Sequence, residues 1–146
     1  GIAVRSSGAV SGFLERKQYS AEVIEEVIAQ LLAEGYIDDL RPARRILRER
    51  TGAKSESRLA LRNRLLRQGV AVEVIDQLSD QMIPDSESAR QLVNKRYERE
   101  LRSLVSLNRE ERQKLYGKIG RFLQSRGYAS NVIEKTLNET FSEIRN

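Results

Sequence analysis

The sequence contains neither cysteine nor histidine. Without cysteine the chain can form no disulfide, no thiolate metal site and no cysteine nucleophile. Without histidine it lacks the commonest general acid–base group and the commonest metal ligand. It also has no glycine-rich phosphate loop and no nucleophile elbow. The sequence therefore predicts a protein that is not an enzyme and that binds no metal or cofactor.

Long apolar runs are missing as well. No stretch approaches the roughly 20 residues needed to span a bilayer. The polar start from Gly1 to Gly12 does not resemble a secretory signal. We therefore expect a cytoplasmic protein that does not associate with a membrane.

The pattern of apolar residues is helical. Apolar residues make up 39% and charged residues 32% of the 146 positions, which suits helices with long solvated faces. No stretch shows sustained alternation with a period of two residues. The sequence therefore predicts an all-α protein without a sheet.

Three segments, which begin at Phe13, Arg64 and Phe122, align without gaps at offsets of 51 and 58 residues. Each carries a leucine at its second position, an apolar residue at its seventh, and a Val-Ile pair followed by an acid. The matching residues are Leu14, Leu65 and Leu123; Tyr19, Val70 and Tyr128; Val23-Ile24, Val74-Ile75 and Val132-Ile133; and Glu25, Asp76 and Glu134. An internal repeat of this kind indicates one helical unit used three times.

Within each segment the residues predict a helix, a tight turn and a second helix. Gly69 and Gly127 fall where a helix end requires a left-handed residue, and Gln18 at the same position predicts a strained turn. The apolar residue after each turn is expected to pack against the preceding helix. Ser20 is expected to cap the helix that follows and that ends at Gly35. The corresponding helix of the second copy should run from Val74 to Ile83, before Pro84.

A further helix is expected before each pair, at 39–50 and 86–105, with only the fragment 2–5 left in the first copy. Asn108 and Glu111 resemble a capping box, and the pair Asp38-Asp39 suits the start of a helix. The sequence thus predicts three tandem three-helix repeats: 1–37 with a truncated first helix, a basic repeat 38–84, and 85–146. Thin apolar stripes require repeats to stack, so we expect an elongated, curved array that serves binding.

Positive charge is concentrated between Arg41 and Arg67. This segment has ten basic residues and two acidic ones, whereas the rest of the chain is net acidic. Such a surface attracts polyanions or an acidic protein face, and the alternative is an ordinary solvated helix surface. The residues predicted to bind a partner or DNA are Arg41, Arg44, Arg45, Arg48, Lys54, Arg58, Arg62, Arg64 and Arg67.

A second basic stretch, from Lys95 to Arg102, surrounds Tyr97. The basic setting makes a nucleic-acid contact conceivable, but the spacing of Tyr97 from Val93 and Leu101 favours packing. Packing is also favoured for Tyr19, Tyr36, Tyr116 and Tyr128, which follow or flank apolar stripes. The stretch from Lys95 to Arg102 is kept as a second candidate surface.

Several segments together resemble the RecX family. They are 35–39, 44–50 and 58–70, which are similar to its central region, and Lys118 to Tyr128, which is similar to its last repeat. The fragment Ile2 to Arg5 resembles the end of its first helix. The chain departs from the family at Pro42, where a phenylalanine is usual, in the turn 51–55, and in a first repeat that is shortened around 6–12.

The resemblance implies a regulator of homologous recombination, DNA repair and the SOS response. Family members bind filaments of the RecA recombinase, inhibit their ATP hydrolysis and strand exchange or promote disassembly, and some bind DNA directly. The first hypothesis is therefore a monomeric modulator of RecA filaments that can also contact single- or double-stranded DNA. The alternative is a stand-alone protein of helix-turn-helix-like repeats that binds DNA without sequence specificity.

Overall fold

The computed structural model describes residues 7–34 and 40–142. Within these ranges there is no strand, so the predicted all-α class is confirmed. The described helices are α1 (Ser7–Arg16), α2 (Ala21–Ala33), α3 (Leu40–Glu49), α4 (Arg58–Arg67), α5 (Val72–Leu78), α6 (Asp85–Arg96), α7 (Glu98–Arg102), α8 (Arg109–Ser125) and α9 (Ser130–Ser142). Short 3-10 turns lie at Gly52–Lys54, Ser79–Gln81 and Leu104–Ser106. The expectations for the fragment 2–5, Gly35, Tyr36 and Asp38-Asp39 lie outside the described residues.

The chain forms two compact units that alternate along the sequence. Unit 1 consists of the residues up to Arg48 together with Arg62–Met82, and unit 2 of Glu49–Leu61 together with the residues from Ile83 onward. One of the three boundaries between them thus falls inside α4. The division into three stacked repeats stays a prediction.

The core of unit 1 gathers around α5. Its buried members are Ala43, Leu65, Val70, Ile75, Leu78 and Met82, with Leu40, Ile46, Leu47 and Val74 half-buried against them. The pair α1 and α2 has only one buried residue, Ile24, which is not part of this cluster. At Gly8 of α1 a Cβ atom would overlap the backbone oxygen of Gly69, so only glycine allows this approach.

The core of unit 2 is larger and is built mainly by α6, α8 and α9. Its buried members are Ala89, Leu92, Val93, Tyr97, Leu104, Leu115, Ile119, Leu123, Tyr128 and Leu137. The turn Gly52–Lys54 and α9 both contact α6, and α8 packs on α9. The start of α4 is capped by Ser57, whose Oγ accepts a hydrogen bond of 3.1 Å from the amide of Ala60.

The three repeated turns have the same backbone geometry. The residue after each turn donates its amide to the leucine five positions earlier, with N–O distances of 3.2 Å for Tyr19, 3.0 Å for Val70 and 3.3 Å for Tyr128. The left-handed residues between are Gln18, Gly69 and Gly127, with φ of 66°, 82° and 87°. These are Schellman helix ends, so the predicted turn is confirmed, and Gln18 adopts the left-handed conformation on which the predicted strain depends.

The predicted packing of the residue after the turn is confirmed in the second and third copies, whereas in the first copy this residue is largely exposed. Val70 and Tyr128 are 3% and 4% exposed, but Tyr19 is 54% exposed. The first turn differs because α1 has no buried residue and α2 only Ile24, so little core surrounds this turn.

Both predicted N-caps are confirmed. Ser20 Oγ accepts from the amide of Val23 at 3.3 Å, and Asn108 Oδ1 accepts from the amide of Glu111 at 2.8 Å. Each cap satisfies an amide that the helix itself leaves without a partner.

Two predicted helices are shorter than expected. The single helix predicted over 86–105 is divided at Tyr97, whose φ of −117° and ψ of 25° leave the helical region. This break accompanies burial of the Tyr97 ring beside Phe122 in the core of unit 2. The helix predicted over 74–83 tightens into a 3-10 turn after Leu78, where the Ser79 hydroxyl donates to the carbonyl of Asp76 at 2.7 Å.

Leu65 should be the more costly of two repeated core positions to truncate. Leu65 is fully buried, so Leu65→Ala should lower the free energy of unfolding by about 2–5 kcal/mol. Ile133 is only half-buried against the core of unit 2, so Ile133→Ala should cost less. Urea titration of both variants measures the difference, and an equal or larger cost for Ile133 would contradict the assigned burial.

Gln18→Gly should stabilise the chain. Glycine adopts the left-handed conformation without the steric cost that a Cβ imposes. Glycine also loses more conformational entropy on folding, but the steric relief is larger, so we expect a net stabilisation of about 0.5–1 kcal/mol. The matched control is Glu15→Gly within α1, which should destabilise by about 1 kcal/mol because its backbone is helical. Thermal unfolding followed by circular dichroism compares the two, and loss of stability in Gln18→Gly would disprove the strain.

Candidate partner-binding surfaces

The arginines of α3 share one face of that helix. Arg41, Arg44, Arg45 and Arg48 are spaced three and four residues apart, and all four side chains are exposed. The opposite face carries Ala43, which is buried in unit 1, together with half-buried Leu40, Ile46 and Leu47. The apolar residues therefore fix which way the helix faces, and the four arginines form what we call the α3 arginine face.

The three predicted residues of α4 that belong to unit 1 differ in their exposure and contacts. Arg62 donates from Nη1 to Oδ1 of Asp76 at 3.1 Å, and its side chain is 40% exposed. The acid in this pair is the repeated one that follows Val74-Ile75, so Arg62 links α4 to α5. Arg64 is half-buried, and Arg67 is exposed. Arg62 is therefore held by a structural ion pair, whereas Arg67 projects into solvent.

Lys54 and Arg58, the two remaining predicted residues, fall in unit 2. Both side chains are exposed, Lys54 at the end of a 3-10 turn and Arg58 at the start of α4. The backbone amide of Arg58 donates to Oδ1 of Asp85 at 2.8 Å. The nine predicted residues are thus divided between two units, with the densest group on α3.

Unit 2 contains a further group of cations that the sequence only partly indicated. The guanidinium carbon of Arg96 lies 5.8 Å from the centroids of both the Tyr97 and Phe122 rings. Nζ of Lys118 lies 5.8 Å from the Tyr97 centroid, and the guanidinium carbon of Arg126 lies 5.0 Å from that of Phe122. The rings are packed edge to face with centroids 5.6 Å apart. We call these three cations and two rings the ring-backed cluster.

Part of this cluster was visible in the sequence. Arg96 lies in the second candidate stretch, and the preference for packing at Tyr97 is confirmed because its ring is 3% exposed. Lys118 and Arg126 were missed. They lie four residues before and after Phe122, a spacing that places all three on one side of α8 and could have revealed them. The contribution of Arg96 depends on how α6 and α8 pack, which spacing alone does not give.

The turn that carries Arg126 is anchored on both sides. Nη1 of Arg126 donates to the carbonyl of Ser55 at 3.3 Å, and its own carbonyl accepts from the amide of Ser57 at 3.1 Å. Two residues later, the hydroxyls of Tyr128 and Ser88 are 2.7 Å apart in the core of unit 2. The position of the Arg126 guanidinium is therefore fixed by the fold.

Burial also affects the two core tyrosines. It raises the pKa of Tyr128 to about 12, although the hydrogen bond with Ser88 acts in the opposite direction. Burial likewise raises the pKa of Tyr97, against the lowering effect of the Arg96 charge. Both tyrosines are thus neutral packing residues with a polar end.

Neither metal ligands nor membrane spans are found in the described part of the chain. No three acidic side chains there converge on a point where a metal ion could bind. No helix within 7–34 or 40–142 is long and apolar enough to cross a bilayer.

The amino-acid sequence is similar to several curated proteins named Regulatory protein RecX. It is 32% identical to that of Clostridium tetani over 123 residues, which are 84% of this chain and 55% of that protein. It is 33% identical to that of Trichlorobacter lovleyi over 125 residues, which are 84% of this chain and 77% of that protein. It is 31% identical to that of Prosthecochloris aestuarii over 139 residues, which are 95% of this chain and 86% of that protein. The chain thus spans little more than half of the Clostridium protein, and no family model matches it.

Tyr128 should titrate late and make stability depend on alkaline pH. Its folded pKa of about 12 exceeds the ordinary value of 10.0, so between these pH values the folded chain keeps a proton that the unfolded chain has lost. This stabilisation is complete below pH 10.0 and is lost as the pH rises towards about 12. Tyrosinate absorbance should show a step near the upper value that Tyr128→Phe removes and Tyr116→Phe retains. A step unchanged in Tyr128→Phe would contradict the assignment.

Proposed function

This chain belongs to the RecX family of regulatory proteins, and from this membership we propose that it regulates homologous recombination and DNA repair by binding RecA filaments. Bound in this way it inhibits or destabilises the filament, lowering ATP hydrolysis and strand exchange. It acts in the cytoplasm by binding and not by catalysis. The support for this is the shared sequence with proteins named for regulation.

The observation that carries the binding surface is the α3 arginine face. Four guanidinium groups on one exposed side of a short helix form a dense positive surface. Each guanidinium can donate two parallel hydrogen bonds to a carboxylate or a phosphate. A RecA filament on DNA offers both kinds of acceptor, since it combines a protein surface with a nucleic-acid backbone.

The sequence made a broader prediction, that reversing the charge of several of Arg44, Arg45, Arg48, Arg58 and Arg62 would abolish binding without unfolding. The structure narrows the useful variants. Arg62 pairs with Asp76 within unit 1, so reversing its charge also removes an ion pair. Glutamate at position 58 would bring a second carboxylate close to Asp85, which accepts from the Arg58 amide. Arg44 and Arg48 lie one helical turn apart on the α3 arginine face, so reversing both changes two of its four charges.

The decisive measurement is ATP hydrolysis by RecA on single-stranded DNA with this protein added. The wild type should lower the rate, and no change in rate or filament length at saturating concentration would refute the proposed function. Arg44→Glu/Arg48→Glu should weaken inhibition about tenfold or more, because like charges brought together at an interface cost several kcal/mol.

The matched control is Arg16→Glu/Lys17→Glu at the end of α1, which changes the net charge equally within unit 1. Both side chains are exposed, and the contact of Lys17 with the Phe13 ring is worth only about 0.5–1 kcal/mol, so the fold should tolerate the change. If the control loses inhibition as strongly as the α3 variant, the effect belongs to overall charge and not to the α3 arginine face. Circular dichroism of both variants verifies that each is folded.

A further inference from the structure

The ring-backed cluster has the features of a binding site for an anion with several charges. Arg96 and Lys118 are exposed, Arg126 is half-exposed, and all three lie over two rings that touch each other. None of the three forms an ion pair with a carboxylate in the described part of the chain. Two other basic residues of unit 2 do form such pairs, since Arg102 pairs with Glu98 and Lys114 with Glu110.

The rings hold the cations in place and are not themselves a stacking platform. Tyr97 is almost fully buried and Phe122 is half-buried, so their faces are covered by protein and by the cations. A cation over an aromatic face is stabilised by about 0.5–1 kcal/mol at an exposed site. Side chains positioned in this way lose less conformational freedom when a ligand binds. The site is therefore organised before the ligand arrives.

Helix ends account for only part of the arrangement. Arg96 is the last residue of α6, and Arg126 immediately follows α8, so both cations suit the negative end of a helix dipole. Lys118 lies in the middle of α8 and gains nothing from a helix end. Its place over Tyr97 brings a third positive charge to the same surface, which favours a ligand with more than one negative charge.

The composition of this surface favours a nucleic acid over an acidic protein. Protein interfaces usually centre on exposed aromatic and apolar side chains with charges at their rim. In the ring-backed cluster the charged groups lie at the surface, and the aromatic rings are buried beneath them. Interactions with a nucleic-acid backbone are made largely by arginine and lysine and carry no sequence information.

We infer that the ring-backed cluster of unit 2 is a binding site for the phosphodiester backbone of nucleic acid. Its residues lie outside the segment 41–67, and the site does not depend on RecA. It binds without base specificity, because its three cationic side chains form hydrogen bonds and ion pairs with phosphate oxygens, which carry no sequence information. Arg126, which also holds the carbonyl of Ser55, sets the position of the site, whereas Arg96 and Lys118 supply charge alone.

The test is fluorescence anisotropy of a labelled oligothymidylate, and of a duplex of the same length, titrated with the protein in the absence of RecA. Arg96→Gln/Lys118→Gln removes two cations and leaves the anchored Arg126 intact. The matched control is Arg102→Gln/Lys114→Gln, which removes two exposed cations of the same unit that are paired with glutamates. Thermal unfolding should show both variants folded.

The wild type should bind at low salt, and the cluster variant should bind about tenfold or more weakly, while the control changes little. The salt dependence should also fall, by about 0.7 in logarithmic slope for each phosphate of a single strand that the variant no longer neutralises. Weaker binding of only one of the two probes identifies a single strand or a duplex as the preferred form and supports the site. Equal weakening of both variants, or no binding by the wild type, would overturn it.

Adding RecA separates this inference from the proposed function. If the cluster variant binds DNA normally but no longer inhibits ATP hydrolysis, the surface binds protein and the inference is wrong. If inhibition by the wild type is absent while the cluster variant loses DNA binding, the proposed function fails and the inference stands.

Discussion

The turn at Arg126, Gly127 and Tyr128 holds together three separate parts of unit 2. The Arg126 carbonyl accepts from Ser57 at the start of α4, and the Tyr128 hydroxyl is bonded to Ser88 of α6. Gly127 has φ of 87° and lies so close to Ser57 that a Cβ atom would be 2.7 Å from its Oγ. A left-handed glycine is thus required both by the helix end and by the neighbouring segment. The same turn fixes the guanidinium of Arg126 over Phe122.

The helix that precedes the turn ends differently in the three repeated segments. Lys17 lies 5.7 Å from the Phe13 ring in the first copy, just as Arg126 lies over Phe122 in the third. In the second copy Arg64 stands where the other two have phenylalanine, and Gln68 stands where they have a cation. The second copy has therefore exchanged an aromatic–cation pair for an arginine on α4. The same helix end therefore carries a stabilising aromatic–cation pair in the first and third copies and an additional positive charge in the second.

Local chemistry was enough to predict the turns and caps, because each depends on a few adjacent residues. Gly69 and Gly127 were recognised as left-handed, and Ser20 and Asn108 as caps, from their positions alone. The break at Tyr97 and the exposure of Tyr19 were not predicted. They depend on how much core lies nearby, which local spacing does not reveal. For the same reason the arginines of α3 could be assigned to one helix, but the pairing of Arg62 with Asp76 could not.

The alternation of the two units along the sequence has a consequence for synthesis. Residues 49–61 belong to unit 2, but the remainder of that unit begins only after 62–82, which complete unit 1. During translation the capping segment around Ser57 therefore emerges well before α6 and the Arg126 turn that bind it. Unit 1 can close while this segment still lacks its partners. Unit 2, which carries the ring-backed cluster, cannot be completed until α8 and the Arg126 turn have been synthesised, whereas every segment of unit 1 is available once Met82 has been added.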